Sequence, residues 1–195
     1  MRICGLDLSL TGSGVALIDT DWPGHARLTE HGTKPTLPDL ESRSIRLRTV
    51  ASKVINDCRD SDIVAIEDLF MGQGTGAQLD RAGLWWIVVN SLCANGIPVV
   101  PITNNHLKMW ATGKGAGKGT DKDHVLAATV KRFPHANVVS NNTADALNLA
   151  SLTAFAYGFP VGPDMPLTNR RAINAVKWPP LTVADSNGTG RVIRP

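Results

Sequence analysis

The 195-residue chain predicts an α/β fold, a mixed β-sheet opened by an antiparallel hairpin, continued by parallel strands and flanked by α-helices. Three observations predict it. Two short apolar runs, residues 1–8 and 15–18, flank the turn Gly12-Ser13-Gly14 and read as a hairpin. Beyond residue 40, segments of helical period alternate with apolar runs at 63–66 and 99–102, as in a sheet built by crossover helices. With 43% hydrophobic residues the chain can bury one sizeable core without disulfides or structural metal.

The elements follow in order. After the hairpin, Pro23-Gly24 marks a second turn and residues 26–32 return as a third strand. Pro35 and Pro38 break the chain before a helix in which Leu40, Leu47, Val50, Val54 and Cys58 recur at three- and four-residue steps. Residues 63–70 form a buried strand that ends in the acids Glu67 and Asp68, followed by a loop with Gly72, Gly74 and Gly76. Residues 77–94 make a second helix, stopped by Asn95-Gly96 and apolar on nearly every side around Trp85-Trp86, so that part of it must face a core or a partner. A strand at 99–102 leads to a short helix through Trp110, for which Asn104 or Asn105 is the expected cap. Helices at 121–133 and 142–157 complete the set. After Gly158 six prolines predict an end to regular packing, apart from one helix at 169–176. The expected organisation is thus a folded domain at 1–157 and a Pro-rich basic extension at 158–195.

Composition excludes several classes. Three widely spaced cysteines without a Cys-x-x-Cys pair read as free thiols in a reducing compartment. Asp7 interrupts any signal-peptide core, and no apolar stretch is long enough for a membrane span. The expectation is a cytosolic protein. The net charge of +3 resides wholly in residues 158–195, where five basic residues face two acids, a placement compatible with a polyanionic partner.

Three acids fall where an α/β sheet displays functional groups. Asp7 ends the first strand, Glu67 ends the 63–66 run, and Asp145 lies one turn into the otherwise apolar last helix. Each is flanked by residues that favour burial, where an unpaired carboxylate costs several kcal/mol. Taken singly, each could be paired with Arg or Lys. Taken together, three converging carboxylates suit a hard divalent cation such as magnesium.

The string Ala65-Ile66-Glu67-Asp68-Leu69-Phe70-Met71, with Asp7 upstream, Leu107-Lys108 and a downstream Ala144-Asp145-Ala146-Leu147, resembles the RuvC family of Holliday-junction resolvases across roughly residues 1–157. The resemblance implies a ribonuclease-H-like sheet and a homodimeric, Mg²⁺-dependent endonuclease, with Mn²⁺ as a substitute, that nicks four-way DNA symmetrically by two-metal-ion phosphodiester hydrolysis. It implies Asp7, Glu67 and Asp145 as catalytic metal ligands, Phe70 as an aromatic that stacks on bases at the junction, and Lys108 as a backbone contact. A second catalytic lysine is implied at Lys122, with Lys118 competing for that role. The family places an acid or histidine where this chain has Asn142. An amide oxygen can ligate but brings no charge, so one ion is held more weakly or Asp68 substitutes. Asn142 is also a candidate N-cap for the last helix.

Gly113-Lys114-Gly115-Ala116-Gly117-Lys118-Gly119-Thr120 lacks the Lys-Ser/Thr step of a nucleotide phosphate loop and reads instead as a basic loop, in which Lys114, Lys118 and Lys122 can track DNA phosphates. The five histidines show no metal-ligand spacing. Two further readings stay open, a nuclease for flaps, forks or other branched DNA, and a junction-binding protein with weakened catalysis.

Overall fold

A computed structural model describes every residue except 23–24, 70–75, 116, 118–119 and 185–189. Strands β1 (Arg2–Asp7), β2 (Ser13–Asp19), β3 (Ala26–His31), β4 (Ile63–Glu67) and β5 (Val99–Ile102) form one sheet in the order β3-β2-β1-β4-β5. The first three are antiparallel neighbours, and β1, β4 and β5 run parallel. This is the mixed sheet that the sequence predicts.

Alternation along the strands sorts two cores. Ile3 and Ile63 face one side with Ala65, beneath helix α5 (Asn141–Ala156), which lies along β1 and β2. Cys4, Leu6, Val64 and Ile66 face the other, against α1 (Leu40–Cys58) and α2 (Gly76–Ala94). The same period of two places Asp7 and Glu67 on the α5 side. They stand one step beyond the pair Leu6↔Ile66, at the C-terminal ends of adjacent parallel strands. Open α/β sheets bind ligands at that edge.

Helices α3 (Asn104–Thr112) and α4 (Lys122–Arg132) complete the α5 layer. Two predicted caps are corrected. The side chain that caps α3 is Thr103, which accepts from the His106 N–H, rather than Asn104 or Asn105. Ser140 caps α5 in a reciprocal box with Thr143, leaving Asn142 inside the first turn. Ser and Thr here precede each helix by one residue in extended backbone, so their hydroxyls reach the free N–H groups that a side chain already inside the turn does not.

The stretch after Gly158 forms the one helix expected there, α6 (Leu167–Asn174), and departs from expectation in the rest: β6 (Leu181–Ala184) pairs with β7 (Gly190–Ile193), and Met165, Ala172 and Leu181 are buried in the same core as α5. Asn169 donates to the Trp110 carbonyl at 2.7 Å, and Arg132 donates to the Ala111 carbonyl at 2.8 Å, so the extension helps close the C-terminal end of α3. Prolines end the helices here without ending the packing.

The three cysteines are free, and no described helix is long and apolar enough to cross a membrane. On α2, Leu84, Val88 and Leu92 are buried while Leu79 and Trp86 stand exposed.

Candidate active site

The cleft at the sheet edge has a volume of about 650 Å³ and is lined by Asp7, Glu67 and Asp145 together with Asn142, Lys122, Arg81, Asn104 and Arg46. Each acid is held by a different element. Asp7 comes from the buried centre of the sheet and its side chain is only 6% exposed. Glu67 is fixed at both ends, because the Trp85 indole donates to its carbonyl at 3.1 Å and Asn104 Nδ2 donates to Oε1 at 2.8 Å. Asp145 projects from α5, whose residues 143–154 are all buried.

Close approach of backbone to backbone brings these elements together. A Cβ on Gly5 would stand 2.1 Å from the Ala146 carbonyl oxygen, and one on Gly14 equally close to that of Asn142. Without those side chains α5 settles directly on β1 and β2, which places Asp145 over the end of β1.

The carboxylates feel one another. Burial pushes the Asp7 carboxyl well above the usual range, with Glu67 and Asp145 adding to the rise and Arg81 opposing it. Burial and the charge of Glu67 push Asp145 up to about 7, although Lys122 and Lys108 pull it back. Concentrated negative charge with all-oxygen donors fits a hard divalent cation. Among the described residues, however, no three acidic, histidine or cysteine side chains converge tightly enough to ligate one ion. Arg81 lies among them instead, 3.3 Å from Glu67 Oε2 and 4.0 Å from Asp7 Oδ1.

A pH dependence follows. The folded chain binds a proton at Asp145 up to about pH 7, whereas the unfolded carboxyl releases it near 3.8. Between these values the folded state carries more protons, so stability without divalent ions falls as pH rises, by up to about 4 kcal/mol from Asp145. Urea unfolding at pH 5 and pH 8 is expected to show the part of that loss that lies above pH 5, about 3 kcal/mol, and Mg²⁺ to reduce it. An identical slope with and without Mg²⁺ would argue against an ion at Asp145.

The other expected residues are placed unevenly. Lys122 lines the cleft, and Lys108 is near enough to act on Asp145. Lys114 lines a separate hollow with His124, Lys131 and Arg132, between α3, α4 and the segment before α6. Phe70 and Lys118 lie outside the described residues. Asn142 reaches the cleft, and its Nδ2 donates to Glu30 Oε1 of β3 at 3.2 Å, leaving its oxygen as the acceptor. Asp68 accepts a hydrogen bond from the backbone N–H of Leu69 and is not among the residues that line the cleft. None of the cleft-lining residues is a histidine.

Arg81, Asn104 and Glu30 are not legible in the sequence as site residues. The one signal it offers is periodicity. Arg81 precedes Leu84, Val88 and Leu92 on the same stripe of α2, a charge where the pattern calls for an apolar residue.

No family model matches the chain. Among curated proteins it is similar to the crossover junction endodeoxyribonuclease RuvC of Pseudarthrobacter chlorophenolicus, 28% identical over 161 residues that span 81% of this chain and 82% of that protein. Its fold matches the RuvC structure of Thermus thermophilus with a TM-score of 0.62 at 19% identity, covering 84% of this chain and all of the other. The T. thermophilus RuvC solved in complex with a Holliday junction substrate matches with a TM-score of 0.61 at 17% identity, over 84% of this chain and 99% of that one.

Proposed function

We propose that this chain, similar in sequence and fold to the RuvC resolvases, is a crossover junction endodeoxyribonuclease that resolves four-way DNA junctions by metal-dependent hydrolysis. The observation that carries the metal-dependent part is the meeting of Asp7, Glu67 and Asp145 in one cleft at the edge of the sheet.

In this reading the three carboxylates hold Mg²⁺ or Mn²⁺, with the Asn142 oxygen beside them. Two such ions, when bound, would activate a water on one side of the phosphodiester and stabilise the departing 3′ oxygen on the other. The chain's own residues prepare that chemistry. Burial of Asp7 and Asp145 lowers the local dielectric response, so their charges act strongly on whatever enters. Lys122 and Lys108, already close to Asp145, offset that charge and offer donors to the non-bridging oxygens of a phosphodiester. Asn104 and Trp85 keep Glu67 from turning away. Glu30 ties down the Asn142 nitrogen and so directs the amide oxygen, rather than the N–H₂ group, to the ligand role.

Symmetric cutting requires two such sites. The exposed Leu79 and Trp86 of α2 offer an apolar face for a second copy of the chain, beside the cleft to which Arg81 and Ala77 of the same helix contribute. Phe70 fits the family's stacking aromatic by its place three residues after Glu67, and stacking on an unpaired base contributes ~1–3 kcal/mol.

The test is cleavage of a synthetic mobile four-way junction, mapped at nucleotide resolution with and without Mg²⁺. Paired, symmetric nicks that need the ion are expected. Single cuts on flaps or forks, with junctions left intact, would support a branch nuclease instead. Tight junction binding without cleavage in either Mg²⁺ or Mn²⁺ would support a binding protein with weakened catalysis, consistent with the uncharged Asn142.

A further inference from the structure

Arg81 stands in the second turn of α2, and its guanidinium fills a place among acids. Nη2 lies within ion-pair distance of both Glu67 and Asp7, and Nε donates to the Leu8 carbonyl at 3.1 Å. Its neighbours on the helix fix the backbone that carries it. Asp80 accepts a two-pronged hydrogen bond from Nε and Nη2 of Arg43 of α1, and Trp85, one turn on, is bonded to Glu67.

The partners differ in freedom. The side chains of Asp7 and Glu67 are 6% and 11% exposed, whereas that of Arg81 is 43% exposed. The acids are held by the sheet, and the arginine is a long arm with a way out to solvent. A guanidinium is singly charged, diffuse and weakly hydrated, so it can neutralise buried carboxylates without the exacting geometry that a divalent ion demands. A cation seated between Glu67 Oε2 and Asp7 Oδ1 would need the place that Arg81 Nη2 holds.

We propose that Arg81 is an internal competitor for the divalent cation, occupying the carboxylates of Asp7 and Glu67 in the unloaded protein and leaving them for the ion to enter. The inference rests on reading those carboxylates as metal ligands. It gives Arg81 a positioning role, since it keeps the acid side chains together and charge-compensated while the ion is away, and it sets divalent affinity lower than the acids alone would give. It also accounts for three carboxylates that gather in one cleft and yet do not close on a single point.

The experiment is titration of the full chain with Mn²⁺ in the absence of DNA, following free Mn²⁺ by electron paramagnetic resonance. Arg81→Met, which keeps the apolar stem without the charge, is expected to bind Mn²⁺ about tenfold more tightly than wild type. Arg81→Lys is expected to fall between the two, and Asp7→Asn to lose the ion. A folded Arg81→Met with equal or weaker affinity would overturn the competition, while loss of the ion in Asp7→Asn would leave the metal site standing. Absence of Mn²⁺ binding in all four proteins would overturn the metal reading and this inference with it. Thermal melts supply a second readout. Without Mn²⁺ the Arg81→Met variant is expected to melt below wild type and to gain more on adding the ion, and equal gains would count against the proposal.

Discussion

Asp7→Asn is expected to abolish junction cleavage, by at least about 10³-fold in single-turnover rate, with binding to the junction retained or tightened. The substitution is nearly isosteric, so the end of β1 and its contact with α5 are preserved. It removes one negative charge from a buried position where no neighbouring acid can be recruited in its place. Phosphate oxygens also meet less repulsion in the cleft, which is why binding should not suffer. The same substitution is expected to stabilise the ion-free protein above neutral pH. Its burial and its acidic neighbours hold the Asp7 carboxyl well above the usual range, so ionising it in the fold is costly, and an amide avoids that cost. A higher melting temperature with no cleavage would mark a residue retained for chemistry at the expense of stability. A variant that cuts at the normal rate in Mg²⁺ would remove Asp7 from the site.

Much of this site is legible in the amino-acid sequence, because its acids obey local rules. Alternation along the first and fourth strands sets the faces of Asp7 and Glu67, and the apolar surroundings of Asp145 mark a carboxylate that the core does not explain. The partners of those acids obey no local rule. Arg81 meets Glu67 across 14 residues, Asn104 meets it across 37, and Asn142 meets Glu30 across 112. Each pairing joins different elements, α2 to β4, α3 to β4 and α5 to β3, and exists only once those elements pack together. That the buried charges need compensation is visible in the sequence, but nothing local there says that an arginine of α2 supplies part of it. The packed extension is hidden for a related reason. Met165, Ala172 and Leu181 are too widely spaced among prolines to show a period, and the core that buries them, with α3 packed against α6, is assembled from distant parts of the chain.

Gly5→Ala is expected to have the largest effect on stability, because the contact it breaks is backbone against backbone. The added methyl would stand 2.1 Å from the Ala146 carbonyl oxygen and 2.6 Å from the Ala150 nitrogen, neither of which can turn aside as a side chain would. Either α5 lifts from β1 or the strand bows, and the tightly packed core transmits both. A loss of about 3 kcal/mol or more is expected in urea unfolding. Gly83→Ala is the control, since its methyl would meet only Leu47 Cδ1, at an ordinary 3.5 Å, in the middle of α2. There the helix gains propensity, and a change between neutral and about 1 kcal/mol of stabilisation is expected. The consequence for function follows from position. Ala146 adjoins Asp145, and Gly5 lies two residues before Asp7, so the gap that the methyl opens is the gap between two of the acids. Mn²⁺ affinity should therefore fall in the folded fraction of Gly5→Ala and stay unchanged in Gly83→Ala. If Gly5→Ala folded with wild-type stability, α5 would not rest on β1 as closely as the site requires, and the meeting of Asp7 with Asp145 would lose its structural cause.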